Sequence, residues 1–174
     1  LVDKSSLPTE STVLAALRWL HFHQDSNGMW DQDGFDKNCD TRKGPKCDNP
    51  NFLSSQSNQY DVGVSALALL AFLGNGHTHR VGLFKKTVKR GLDWLISQQQ
   101  SDGSFGSRIA ESWIYNHALA TLAVCEAYAI TRDYRLREPA QRAVEFIRNA
   151  HNPGLGWKYE PRDGKCDTSV TGWM

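Results

Sequence analysis

The sequence predicts an all-α fold in which amphipathic outer helices alternate with more apolar inner ones, about two and a half times along the chain. Two observations carry that prediction. One segment recurs three times, as AALRWLHFHQDSNGMW from Ala15, RGLDWLISQQQSDGSF from Arg90 and RAVEFIRNAHNPGLGW from Arg142. Between the copies lie apolar runs too uniformly hydrophobic to be surface helices.

In each copy a small residue (Ala16, Gly91, Ala143) stands three places before an aromatic (Trp19, Trp94, Phe146), which an aliphatic residue follows (Leu20, Leu95, Ile147). A second aromatic (Trp30, Phe105, Trp157) comes eleven places after the first. The first half reads as a helix with one apolar stripe, for example Leu14, Leu17, Trp19 and Leu20, or Val88, Leu92 and Leu95. Asn27-Gly28 and Asp102-Gly103 then end the helix, because glycine takes a positive φ without steric penalty. Gln24 and Gln99 are placed to bond the backbone of the turn, and the closing aromatic to cover the helix end. The third copy has His151 for the glutamine and moves its glycines to Gly154 and Gly156. A structural role accounts for the repeat without catalysis.

Outer helices are expected near residues 10–23, 83–99 and 137–149, and inner helices near 59–73, 112–130 and from 167. The run from Tyr60 to Leu73 aligns with Tyr115 to Cys125 at an offset of 55, pairing Asp61 with Asn116, and Asp167 pairs with Asp61 at an offset of 106. Gly74-Asn75-Gly76 and Thr131-Arg132-Asp133 turn the chain back outward, and Glu138-Pro139 suits a first helical turn. The first unit alone carries a long insertion, residues 34–57, rich in Gly, Pro and polar residues.

A chain of 174 residues is expected to form one domain over 1–174 that buries roughly two-thirds of its unfolded surface without staples. With 20 Lys plus Arg against 19 Asp plus Glu, it has no global field to draw in nucleic acid. No apolar run approaches the roughly 20 residues of a transmembrane helix, and LVDKSSLPTES lacks a signal peptide's charged and apolar regions. Cys125 sits in an apolar helix as a small hydrophobe. Cys39 and Cys47, eight residues apart in the insertion, are candidates for a disulfide, which would suit an extracytoplasmic compartment. They also offer two metal ligands, for which His77 and His79 would supply nitrogens, though two histidines in a polar turn are more often plain surface residues; the disulfide is preferred to zinc, and free thiols stay open.

The repeat, a basic residue, Gly or Ala, two any, aromatic, aliphatic, three any, Gln, three any, Gly, any, Trp, resembles the QW motif of squalene and hopene cyclases. Arg90 to Phe105 fits it except for Phe in place of Trp, and Ala15 to Trp30 lacks only the basic residue. Over nearly its whole length the chain resembles the prenyltransferase and squalene-oxidase repeat proteins, particularly bacterial members of unassigned function with runs such as YNHALATLA and DTSVTGW. The resemblance implies an α/α toroid, inner helices around a central cavity, of which this chain would be a partial arc of a larger barrel.

The Asp-x-Asp-Asp-Thr run by which those cyclases protonate substrate is reduced here to Cys166-Asp167-Thr168, so cyclisation by that route is unsupported. The Gly-Cys-Gly-Glu-Gln run of thioester domains is absent. Protein prenyltransferases of the fold bind zinc through Asp, Cys and His near inner-helix ends, and Asp61, His117, Cys166 and Asp167 fall at such positions. Capping of the helices by Asp61, Asn116 and Asp167 is the preferred account, with no metal or cofactor. Tyr60, Asp61, Trp113, Tyr115, His117 and Asp167 are the candidate pocket residues, while the repeat aromatics are expected in outer-layer packing. The expected function is a noncatalytic module binding a protein or an apolar, isoprenoid-like ligand. The alternatives are a terpenoid cyclase or prenyltransferase-type enzyme with catalytic residues partly outside this chain, and a scaffold without ligand.

Overall fold

A computed structural model of the chain describes residues 8–42, 45–47 and 58–174. Residues 43–44 and 48–57 of the expected insertion lie outside them. The described residues form six α-helices and no strand: α1 (Pro8–Phe22), α2 (Asp61–Gly74), α3 (Lys85–Ser97), α4 (Trp113–Thr131), α5 (Tyr134–Ala150) and α6 (Thr168–Trp173). Helices α1, α3 and α5 are the outer layer and α2, α4 and α6 the inner one. Each expected helix is present within a few residues of its expected bounds.

Helix α5 starts earlier than Glu138-Pro139 suggests, at Tyr134. Asp133 is its N-cap, accepting from the Arg135 N–H, so Pro139 lies inside the helix rather than in its first turn. Arg132, in the left-handed region at φ 52°, makes the reversal that closes α4.

The outer helices bury one stripe, such as Val88, Gly91, Leu92 and Leu95 of α3 or Leu136, Ala140 and Ala143 of α5. These press on Leu69, Phe72, Leu73, Ala120, Ala123, Val124 and Ala127 of the inner pair, forming the main core. The small residue of the repeat has a packing cause. A Cβ on Gly91 would stand 2.9 Å from both Leu69 Cδ2 and Trp30 Cζ3, so the inner helix can approach α3 only because that atom is missing.

The turns use the repeat residues twice over. Gln24 Nε2 donates to the Gly28 carbonyl at 2.8 Å, within its own turn, and to the Thr87 carbonyl at 3.0 Å, on the next outer helix. Gln99 Nε2 does the same to Gly103 at 3.1 Å and Pro139 at 2.9 Å. The closing indoles return to their own helices, Trp30 Nε1 donating to the Leu20 carbonyl at 2.7 Å and Trp157 Nε1 to that of Ile147 at 2.8 Å. Phe105 keeps the position, fully buried, but cannot donate.

The backbone N–H of each closing aromatic also bonds an inner helix: Trp30 to Ser65 Oγ at 2.9 Å, Phe105 to His117 Nδ1 at 3.1 Å and Trp157 to Thr171 Oγ1 at 3.1 Å. Ser65, His117 and Thr171 are therefore equivalent. This keeps the offset of 106 between the first and third inner helices but moves the second by three residues, so that Asp61 corresponds to Trp113 rather than Asn116. The slip is close to one helical turn, which is why periodicity alone did not expose it.

Not every expectation about burial holds. The inner helices are apolar all round, yet Tyr60, Leu67, Leu122 and Ile130 are 43–50% exposed. Tyr60 precedes α2, Leu67 stands on α2, and Leu122 and Ile130 stand on α4. Trp19 is also exposed, at 42%, rather than packed in the outer layer.

Candidate functional site

At the N-terminal ends of the inner helices lies a cleft of about 320 Å³. Asp61, Gln59, Asn116, Trp94, Gly106 and Ser107 are among its lining residues. The start of α2 positions Asp61, and the hairpin formed by α2 and α4 brings Asn116 beside it. Asn116 Oδ1 occupies the space above Gly63, where a Cβ would stand 2.4 Å away, and its amide donates to the Gln59 carbonyl at 2.6 Å.

Asp61 is 4% exposed and accepts one backbone bond, from Gln32 N–H at 3.1 Å. Burial pushes its carboxyl up to about 6; the Gln32 bond works against this, and the nearby charges of Asp31 and Asp33 add to it. It does not cap α2, whose N-cap is Tyr60 without a side-chain bond. Asn116 is likewise no cap, being inside α4. Asp167 is one: its carboxylate accepts from Val170 N–H at 3.0 Å at the start of α6.

His117 is fully buried, enclosed by Phe105, Trp113 and Phe146, with the Phe146 ring edge-on at 4.7 Å. Its Nδ1 accepts from Phe105, which places the proton on Nε2, where no partner is found. Burial lowers its pKa to about 4, with Asp102 opposing and Arg108 reinforcing the shift, so the ring is neutral. Trp113 is buried beside it under the Arg108 guanidinium, which lies 4.5 Å from the ring centroid. Tyr115 reaches the other way, its hydroxyl donating to Ser169 Oγ at 3.1 Å. Tyr60 is half-exposed and Cys166 is exposed.

The candidate residues thus divide. Asp61 lines the cleft with Asn116, while His117 and Trp113 belong to the core behind Phe105. Asp61, His117, Cys166 and Asp167 do not converge as ligands: among the described residues, the only group of three or more metal-capable side chains is His23, Cys39 and Cys47. Both cysteines are free thiols in the structure. The histidines expected near them are elsewhere, His77 edge-on to Phe84 at 5.0 Å and His79 bonded to Asp133 at 2.8 Å.

His23 was missed because it is embedded in the repeat. Its signal was available in the alignment of copies: the other two have Gln98 and Ala150 at its position, and only the copy followed by the insertion has a ligand there.

No helix among the described residues is long and apolar enough to cross a membrane. Residues 2–173 match the model of the squalene-hopene cyclase C-terminal domain. The chain is 34% identical over 95 residues to lanosterol synthase of Candida albicans, covering 49% of this chain and 13% of that protein. It is 24% identical over 179 residues to squalene–hopene cyclase of Zymomonas mobilis, covering 94% of this chain and 25% of the relative. Lanosterol synthase of Saccharomyces cerevisiae is 26% identical over 109 residues, 59% of this chain and 14% of its own. The chain therefore spans a quarter or less of the length of these relatives. No solved structure matches it significantly. The repeats, the two helical layers and the match over nearly every residue agree: the chain belongs to the squalene-hopene cyclase C-terminal domain family.

Proposed function

We propose that this chain is a noncatalytic arc of a larger α/α barrel that binds an apolar, isoprenoid-like molecule against the inner faces of α2 and α4. The observation that carries the reading is the pair of half-exposed leucines on those helices, Leu67 and Leu122. Leu67 and Leu122 are about half exposed on elements whose other sides, through Leu69, Phe72, Ala120 and Val124, are fully buried. An apolar face of this kind gains roughly 25 cal/mol for each Å² it removes from water, which suits a hydrocarbon ligand. The curated relatives are named for squalene, hopene and lanosterol, which agrees with that ligand class.

Asp61 favours binding over cyclisation. Protonating an alkene calls for an unusually strong acid, whereas burial makes Asp61 a weaker acid than an ordinary carboxyl, near 6.

Titrating the full-length protein with detergent-dispersed squalene, followed by tryptophan fluorescence, tests the reading. The wild type is expected to bind, and Leu67→Asp with Leu122→Asp to weaken binding at least ~10-fold, the loss of two apolar contacts, with unchanged Tm. Absence of binding overturns it, and conversion of squalene to cyclised product establishes the enzyme instead.

A further inference from the structure

We propose that His23, Cys39 and Cys47 form a metal site of the zinc class, which fixes the insertion to the C-terminal end of α1. His23 Nε2 lies 3.3 Å from Cys39 Sγ and 3.4 Å from Cys47 Sγ, and the three ligand atoms all fall within 4.8 Å of one another. Zinc bonds of about 2.0 Å to nitrogen and 2.3 Å to sulfur, at tetrahedral angles, put N and S about 3.5 Å apart. The observed spacing is that of ligands around one ion, with the nitrogen almost equidistant from both sulfurs.

The surroundings orient the ligands. His23 Nδ1 donates to the Trp19 carbonyl at 2.7 Å, one helical turn back, which leaves the Nε2 lone pair directed at the sulfurs. The imidazole is 6% exposed and stacks on Trp19 with ring centroids 3.9 Å apart, so it cannot swing away without losing that contact. This stacking is what the exposed Trp19 does in place of core packing. Phe35, from the 3-10 turn Phe35–Asn38, covers the pair, and Asn38 ties the loop to the His23 carbonyl at 3.3 Å. The Cys47 backbone N–H donates to Cys39 Sγ at 3.2 Å, supporting negative charge on that sulfur.

Two thiolates and a neutral imidazole select a borderline-soft divalent cation, and their two negative charges balance it. Binding releases the two thiol protons to solvent. The described residues supply three ligands of the four that a tetrahedral ion takes. A Cys39–Cys47 disulfide is the competing chemistry for these sulfurs, but it gives no role to an imidazole held between them.

The site also bears on the cleft. The insertion segment it holds contains Lys37, which pairs with Asp25 at 2.7 Å and Asp31 at 2.6 Å, next to the Gln32 N–H that bonds Asp61.

Metal analysis of the full-length protein purified under reducing conditions without chelator is expected to give one zinc per chain. Cobalt titration of the metal-free protein is expected to give the visible bands of a tetrahedral thiolate complex. Cys39→Ser, Cys47→Ser and His23→Gln should each weaken zinc at least ~10-fold in competition with a chromophoric chelator, while His77→Ala retains it. The serine variants alter half-buried loop residues, so circular dichroism will show them folded and keep the comparison valid. Failure of the reduced, folded protein to bind zinc or cobalt overturns the proposal, as does a Cys39–Cys47 disulfide in protein alkylated at lysis.

Discussion

Gly103 lies against the carbonyl oxygen of Arg142 so closely that a Cβ there would come within 2.4 Å of it, and Gly28 stands in the same relation to Arg90. Arg90 and Arg142 are the first residues of the second and third repeat copies, so each turn is seated on the start of the copy that follows. Gly103→Ala meets both a positive φ of 94° and a backbone obstacle that cannot rotate away. The expected loss is about 3 kcal/mol. Gly154→Ala, at φ 78° with nothing within 4 Å, isolates the conformational part and should cost only about 1 kcal/mol. Urea denaturation of the two variants checks this, and equal losses would refute the seating role.

The indole bonds of Trp30 and Trp157 predict a second pair of effects. Trp30→Phe and Trp157→Phe each remove a bond to a last-turn carbonyl, at 2.7 and 2.8 Å, while keeping most of the ring. Each is expected to cost about 1–2 kcal/mol in thermal unfolding. Phe105 shows that the position accepts a phenyl ring when the N–H is dispensed with. Its helix carbonyl, Leu95, accepts from Gln98 N–H at 3.1 Å, the counterpart of the bond that Leu20 accepts from His23 N–H at 3.2 Å in addition to the indole.

Asp61 and His117 have opposite pH effects in one window. Asp61 rises from 3.8 to about 6 on folding, so between those values the native state holds the extra proton and stability falls as pH rises. His117 falls from 6.5 to about 4, so across nearly the same range the unfolded state holds the extra proton and stability rises with pH. Each swing is of order 3 kcal/mol, and together they largely cancel. Asp61→Asn is therefore expected to be about 2 kcal/mol more stable than wild type at pH 7, and to lose stability on acidification from pH 6.5 to 4 where the wild type changes little. Parallel pH–stability curves for the two proteins would rule the pairing out.

Asp133 ties α5 to the loop that carries His79. It caps α5, bonds His79 Nε2 at 2.8 Å and pairs with Arg135 Nη2 at 2.7 Å, with 1% exposure. The Arg135 hydrogen bonds hold its carboxyl far below the usual carboxylate range despite burial. Its stabilisation is thus complete above the unfolded value near 3.8 and is lost as pH falls below it. Asp133→Ala is expected to cost about 2–4 kcal/mol at pH 7, from the lost cap and the buried His79 left without its acceptor. Thermal unfolding measures it.

The helices and the repeat were legible because both have local causes. Periodicity places the apolar stripe of α3, and a glycine after it marks the turn, without reference to any other part of the chain. The second partner of each repeat residue was not legible. Nothing near Gln24 names the Thr87 carbonyl, which lies 63 residues away. Asp61 reads as a cap from its position, but the acceptor role it fills depends on Gln32, 29 residues earlier in the chain. The exposure of Leu67 and Leu122 was hidden by composition, since Leu67 looks no different in sequence from buried Leu69. His23 was overlooked for the opposite reason: it belongs to a repeat whose other residues were already explained.

The Gln24 and Gln99 clips run in one direction only, each from a turn to the outer helix that follows. Helix α3 thus receives a clip from the turn before it, while its own turn provides the next. A segment copied from one such point to the next carries both a complete socket and a complete plug. Gene duplication can lengthen a chain of this design without inventing a new interface, because every added unit arrives already matched to its neighbours.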